Sequence, residues 1–486
     1  MSPALLFFLV ITYFLILLIV AYYTSRKANN ETFFIGNKSS NWMLVAFGMI
    51  GTSLSGVTFV SVPGTVGASG FTYFQVVIGY FIGYLIIAYV LLPLYYRLNL
   101  TSIYNYLQKR FGNSAYKTGA LFFIVSRVLG ATARLYLVIN VLQIFILDSM
   151  GIPFIATTFI ILLMILLYTF KGGVKTIVWT DTLQTTGMLV GLVVCVVYIM
   201  NTFGFSLGDT MHELAKRSFT RIFNYDVNSS GFFVKQIIGG AFITVAMTGL
   251  DQEMMQKNIS VKNLKDSQKN MITFSIIMVI VNFLFLLLGG LLYLFAGKNG
   301  ITITGDDLFP ALAMNHLPGF ISLIFILGLI SALFPSADGA ITALTSSFCI
   351  DILGLKSRTD LTEKQRTRTR MTVHLTFAII FLLCVMIFKW IDNKSIITVI
   401  LKVAGYTYGP LLGLFSFGIL TKRRLSESSM IPIVCLLSIV ICYILDKMAA
   451  DWFGGFQIGI ELLILNGIIT FLGLWAISHP AEKELV

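Results

Sequence analysis

Several groups of side chains in this sequence are of types that do chemistry, and nearly all of them fall inside apolar stretches. The run SALFPSADGAITALTSSFCID, from Ser331 to Asp351, sets Pro335 and Gly339 among Ser336, Asp338, Thr342, Thr345 and Ser346. On a helix, Ser336, Gly339, Ala343 and Ser346 share one face, and Asp338, Thr342 and Thr345 form a second. Hydroxyl and carboxylate oxygens are hard ligands of the kind a small cation takes. Asp338 is either charged beside a cation or neutral and carrying a proton. Arg127 and Arg134, seven residues apart, nearly share one helical face; each either holds a buried carboxylate or faces an anionic solute. Asp181 opens another apolar stretch, where it can ligate a cation or bond a neighbouring helix. Asp251 and Glu253 in LDQEMMQK read as solvated capping charges. Lys402, beside Tyr406 and Tyr408, is an ammonium in apolar surroundings. Since Lys402 and Asp338 would each carry a desolvation cost alone, they are expected within reach of one another, directly or through water, in at least one transport state.

These groups need elements that hold polar side chains away from water, and the stretch Ala46 to Gly67, AFGMIGTSLSGVTFVSVPGTVG, is the most informative. Gly48, Gly51, Gly56, Gly64 and Gly67 weaken a helix, and Thr52, Ser53, Ser55, Thr58 and Ser61 are among the hydroxyl residues between them. Lipid offers no hydrogen bonds, so this span belongs inside a bundle, as a helix broken at a binding site or as a close-packing face. A second interrupted helix is expected at Gly239, Gly240, Thr244, Thr248 and Gly249, five spans later. Irregular spans at corresponding positions of two halves are the sequence trace of an inverted repeat.

With 57% hydrophobic and 12% charged residues in 486, the chain reads as a polytopic membrane protein. Thirteen apolar segments are expected, at 4–24, 42–66, 73–96, 118–147, 153–170, 177–202, 236–256, 271–297, 319–349, 372–391, 395–420, 429–448 and 457–478. The net charge of +12 does not signal nucleic acid, because 23 of the 34 lysines and arginines fall in alternate loops: 25–41, 97–117, 171–176, 257–270, 350–371, 421–428 and 479–486. By the positive-inside rule those loops are cytoplasmic, the N-terminus outside and the C-terminus inside. The basic run from Lys364 to Arg370 is then topological. Ala4 to Thr24 reads as a retained anchor. The loop Leu100 to Gly112 reads as an amphipathic connecting helix along the cytoplasmic surface, and Gly172 and Gly173 as a tight turn between two spans. Five scattered cysteines and four scattered histidines show no metal-binding spacing.

In order, FFIGNKSSNW, SLSGVTF, LTSIYNYLQKRFG, GGVKTIVWTDTLQ, DQEMMQK, the polar ninth span with Asp351, and GYTYGPLLGLFSFGIL resemble the sodium:solute symporter family from about residue 30 to 425. The resemblance implies an all-α, leucine-transporter-like 5+5 inverted repeat, 42–202 and 236–420, with one extra N-terminal span (1–24) and two C-terminal ones (429–478). It implies Na⁺ as co-transported ion, at a site of the Gly51, Leu54 and Ala332 carbonyls with the Ser336 hydroxyl. Pro335 replaces a hydroxyl often found there in the family. Some sialic acid carriers have a further sodium near the aspartate matched by Asp181; the serine pair completing it is Asp338 and Gly339 here, so that site would be altered. Ser55, Thr58, Arg127, Arg134, Thr248, Lys402 and Tyr406 would contact the solute, and the positive balance of the cavity suits an organic acid or sugar acid.

The expected activity is therefore sodium-coupled symport by a monomer in the lipid bilayer of the cell (inner) membrane. A proton-coupled permease of the same fold, with Asp338 as carrier, is the alternative. A membrane enzyme lacks its catalytic constellation here: no HExxH occurs, and Gly305-Asp306-Asp307 falls in an external loop. A channel would need a repeated filter, and no soluble signalling domain marks a sensor.

Overall fold

The computed structural model describes residues 3–25, 40–100, 102–355, 357–358, 360–391, 396–425 and 430–480. Most of the FFIGNKSSNW motif lies outside them. Among the described residues all regular structure is helical, with two isolated bridges, Ser40 to Val261 and Arg424 to His479. Eight helices are long and apolar enough to cross a membrane, or ten if each of two bent pairs is one span. The apolar helices Trp42–Ser53, Phe154–Phe170 and Leu462–Ile477 are shorter. The chain is an integral membrane protein, with apolar side chains outward and polar ones inward. On Met430–Trp452, Leu436, Leu437 and Val440 are exposed, while Ser438 is buried and accepts a hydrogen bond from Thr470 at 2.8 Å. Lipid solvates the former and leaves hydroxyls to find protein partners.

Three spans are broken. Trp42–Ser53 begins on an Asn41 cap and ends where Leu54 (ψ 84°) and Ser55 (ψ 175°) leave the helical region, and Gly56–Ser69 then resumes. The last helical bond before the break runs from Leu54 N to Ile50 O, so the carbonyls of Gly51 to Leu54 lie beyond the ladder. Phe233–Thr244 passes through a wide turn at Val245–Gly249, then bends by 66° into Gln252–Ile259. Ile397–Thr407 and Gly409–Leu420 meet at 46°. Gly409 is required there, since a Cβ would stand 2.3 Å from the Asn466 side chain.

Partners along the helix Leu264–Lys298 show how the first segments run. Met49, Phe59 and Gly67 meet Asn270, Phe285 and Tyr293 in parallel order, whereas Phe74, Tyr84 and Ala88 meet Phe283, Phe274 and Gln268 in the opposite order. The chain reverses at Gly70, whose φ of +60° and contact with the Phe219 carbonyl exclude a side chain. The fifty residues Phe154–Phe203 also fold back, because as one straight helix they would extend about 75 Å. Val10 shares a small cavity with Ile161, yet Tyr13, one turn on, lies 3.9 Å from the Cβ position of Gly187. Thr24 bonds Thr176 at 3.1 Å, so from Thr176 to Gly187 the chain runs back along the first helix.

The helix Gly319–Ser347 lies at the centre, with every residue from Gly328 to Ser347 buried. Small residues let it approach its neighbours: Gly328 faces Gly191, and Ser331 faces Gly187. The segment 102–112 is the expected amphipathic connector, with Gln108 and Lys109 exposed on its polar side. Ile103, Tyr104, Leu107 and Phe111 are all buried against the bundle, and the helix there is Asn105–Phe111. Tyr104 donates to the Leu250 carbonyl at 2.9 Å, so the connector is fastened to the second break. Outside the spans, the helix Leu207–Lys216 opens on a Ser206/Asp209 capping box, and the Ser206 hydrogen bonds hold the Asp209 carboxyl below the usual range.

Candidate functional site

An inner cavity of about 100 Å³ opens at the first break, lined by Leu54, Ser55, Thr58, Arg127, Arg134 and Thr248 among others. Tyr73, Tyr80, Tyr84 and Asn282 complete its aromatic and polar wall. A wider outer cavity of about 430 Å³ lies towards Ser230 and Gly231. Both are lined by Tyr73, Ile397 and Leu401, which form the partition between them.

The two arginines differ in what they touch. Arg127 is buried, paired with Glu253 and lying 3.6 Å from the Asp251 carboxylate. Its charge is therefore matched inside the protein. Arg134, two turns on, faces the same cavity with no carboxylate within 4 Å among the described residues. It stands half-buried, with the carboxylates of Asp251 and Glu253 acting on it only from beyond ion-pair distance.

Asp251 and Glu253 are thus not solvated, as the position near a span end suggests; both are buried. Asp251 does cap its helix, accepting from the Glu253 and Met254 amides, and takes a further bond from Tyr408 at 3.0 Å. The reason is the 66° bend, which turns all eight residues of Gln252–Ile259 into the interior. Lys257 comes with them. Counted by sequence among the cytoplasmic loop charges, it is instead buried, with its ammonium 2.7 Å from Asp181 Oδ2, 2.6 Å from Thr52 Oγ1 and 3.5 Å from Glu253 Oε1. Its spacing of four from Glu253 was the one sequence cue to this pairing.

In this structure Asp338 and Lys402 have separate partners. Asp338 is buried and accepts from the Tyr168 hydroxyl at 2.7 Å and from the Gly339 amide. Lys402 lines the outer cavity, its side chain half exposed, and pairs with Asp446 at 2.7 Å. Tyr406 donates to the same Asp446 at 2.6 Å. Neither Lys402 nor Tyr406 lines the inner cavity; the bend at Gly409 turns their end of the span towards Met430–Trp452, which supplies the partner.

Of the residues expected at the cation, Gly51 and Leu54 flank the first break, and Ala332 and Ser336 are buried in the central helix. The two elements pack closely, Gly328 under Phe59 and Gly56 beside Leu329. Ser336 donates to its own helix at Leu333 O, 2.9 Å, which leaves its oxygen lone pairs available. Asp181 of the altered second site is taken by Lys257 and Thr52, while its Oδ1 is buried without a hydrogen bond. At the second break, by contrast, tyrosine hydroxyls occupy the freed carbonyls: Tyr95 on Gly249 O at 2.7 Å and Tyr104 on Leu250 O at 2.9 Å.

Helices broken beside a buried, charge-lined cavity in a bilayer are the architecture of a membrane transporter. The model of the sodium:solute symporter family matches residues 33–435, and the chain belongs to that family. It is similar to the sodium/sialic acid symporter NanT of Aliivibrio fischeri, 22% identical with 92% of this chain and 88% of the relative covered. SiaT of Proteus mirabilis, also a sodium/sialic acid symporter, is 24% identical over 92% and 90%. The sodium-coupled monocarboxylate transporter 2 of Bos taurus is 26% identical over 81% of this chain and 64% of its own. The solved structure of a Na⁺-coupled sialic acid symporter, substrate-bound and outward-open, matches with a TM-score of 0.81 at 20% identity, covering 96% of each chain. A closed nucleobase-cation-symport-1 transporter matches more loosely, at 0.58 and 12%, over 92% and 94%. These relatives are transporters, not enzymes, and the likeness to the solved structures fixes the fold.

Proposed function

We propose that this protein imports a small organic anion, a carboxylic or sugar acid, together with sodium by alternating access across the cell (inner) membrane. Arg134 carries the reading: it lines the inner cavity with no carboxylate within 4 Å among the described residues, beside the freed carbonyls of the first break. Sodium is held by the Gly51, Leu54 and Ala332 carbonyls and the Ser336 hydroxyl. Solute contacts come from Ser55, Thr58, Arg134 and Thr248, while Arg127 orders the wall through Glu253. The solutes in the names of NanT, SiaT and the monocarboxylate transporter all bear a carboxylate, in keeping with that charge.

The architecture proposed with it has thirteen spans, counting the two reversals and treating each bent pair as one. Residues 42–202 and 236–420 form inverted five-span repeats, flanked by 1–24 and 429–478, with the N-terminus outside, the C-terminus cytoplasmic and the monomer as working unit. The breaks at Leu54 and Leu250, each in the first span of its proposed repeat, support this division.

Uptake into proteoliposomes tests the reading. A panel of labelled carboxylic acids, neutral sugars and amines is offered with an inward sodium gradient, then with a pH gradient in sodium-free buffer. Sodium-dependent uptake of an acid is expected. Equal uptake on the pH gradient alone, or transport of amines only, would refute it.

A further inference from the structure

At the position matched to a second sodium, one carboxylate oxygen of Asp181, Oδ2, is engaged by the protein itself, while Oδ1 accepts no hydrogen bond among the described residues. Lys257 presents its ammonium to Asp181 Oδ2 at 2.7 Å and to Thr52 Oγ1 at 2.6 Å, with Glu253 Oε1 at 3.5 Å. Three oxygens around a fixed positive charge are the surroundings a small monovalent cation would seek. Of the ammonium's three donors, two are hydrogen-bonded to Asp181 Oδ2 and Thr52 Oγ1, and Glu253 Oε1 adds an ion-pair contact. Asp181 is fully buried and Lys257 nearly so, so neither charge is matched by water. A sodium ion on the same carboxylate oxygen would face the ammonium at close range, in surroundings that screen charge weakly.

Nor do the next positions offer a shell. Asp338 takes the Tyr168 hydroxyl on one oxygen and the Gly339 amide on the other. At Gly339 a Cβ would fall 2.1 Å from Glu253 Oε1, so the room for a side-chain ligand is filled by the carboxylate that also reaches Lys257. Thr52 ends the helix before the first break, Lys257 follows the second, and Asp181 lies on the returning span of Phe154–Phe203. The ammonium thus joins both breaks to a third span.

We infer that Lys257 is a built-in cation occupying the second cation position at Asp181, so that the protein binds and couples one sodium ion rather than two. The inference rests on the sodium-coupled reading above. It assigns Lys257 a role in ion stoichiometry that its place in a basic loop does not suggest.

The test is sodium binding to the purified full-length protein, counted with radioactive sodium under equilibrium conditions, together with the Hill coefficient of uptake. The wild type is expected to saturate at one sodium per chain with a coefficient near 1. Lys257→Gln frees Asp181 and is expected to raise binding to two per chain, and Lys257→Gln with Asp181→Asn to return it to one. Two sodium ions on the wild type, or a folded Lys257→Gln protein that still binds one, would overturn the inference. Should Lys257→Gln fail to fold, Asp181→Asn decides: binding stays at one if no sodium uses Asp181, and a fall overturns the proposal. Absence of sodium binding to the wild type would sink the symport reading itself, which separates the two failures.

Discussion

Arg127 and Arg134 share a helix, a face and a cavity, yet their replacement should fail in different assays. Arg134→Gln removes a cation with no carboxylate within 4 Å among the described residues, so the fold loses little. If the guanidinium binds the solute carboxylate, a hydrogen bond between charged groups is lost, worth about 1.5–3 kcal/mol. At about 1.4 kcal/mol per factor of ten, KM should rise roughly 10- to 150-fold. Arg127→Gln instead strands Glu253 and Asp251, both buried, and breaking such a pair costs about 3–5 kcal/mol. The marginal stability of most proteins makes that a folding defect. The measurements are the midpoint of thermal unfolding in detergent and the KM and maximal rate of sodium-driven uptake. A well-folded Arg127→Gln with a selectively raised KM, alongside an Arg134→Gln identical to wild type, would refute the reasoning and exchange the two roles.

Three further outcomes follow from the same contacts. Ser336→Ala should raise the sodium concentration for half-maximal uptake several-fold without lowering the unfolding midpoint, because among the described residues its hydroxyl donates only to its own helix; a proportionate loss of both would make it structural. Lys402→Gln should change stability by no more than about 1 kcal/mol and leave the protein folded, since its pair with Asp446 is half exposed; a requirement for a compensating change at Asp338 would contradict the separation of those residues. Tyr104→Phe should destabilise by about 1–3 kcal/mol, as the Leu250 carbonyl is left buried without its donor, with the sodium dependence of uptake unchanged; a shifted sodium dependence with normal stability would place the ion at the second break.

The all-helical, membrane-spanning character and the first two breaks were legible because they rest on local properties: apolar length, clustered glycines, and hydroxyls in stretches where lipid offers no partner. Gly51 to Gly56 brackets the observed break at Leu54, and Thr244 to Gly249 ends one residue before the second. Ser55, Thr58, Arg127, Arg134 and Thr248 all reach the inner cavity. Partner choice was not legible, since a charge in an apolar span must find a counter-ion but its position does not say which. Asp338 found Tyr168, and Lys402 found Asp446, each across a distance in sequence that no periodicity encodes. Lys257 was missed for another reason: charge counting treats every lysine beyond an apolar segment as solvated, and the 66° bend carries this one inside.

The two breaks are alike in sequence and opposite in how their backbone is satisfied, and that difference assigns their roles. At the second, Tyr95 and Tyr104 cover the Gly249 and Leu250 carbonyls, and Asp251 caps the helix that follows. Buried carbonyls with donors in place have no need of an ion. At the first, the carbonyls of Gly51 to Leu54 lie past the last helical bond, and Ser55 starts the next helix without a side-chain cap. Its oxygens stand beside the central helix and the cavity that Arg134 faces. A sodium ion there would supply the missing charge for the backbone and set a positive field next to a carboxylate solute. Binding of either would then favour the other without direct contact, which is the coupling that symport requires.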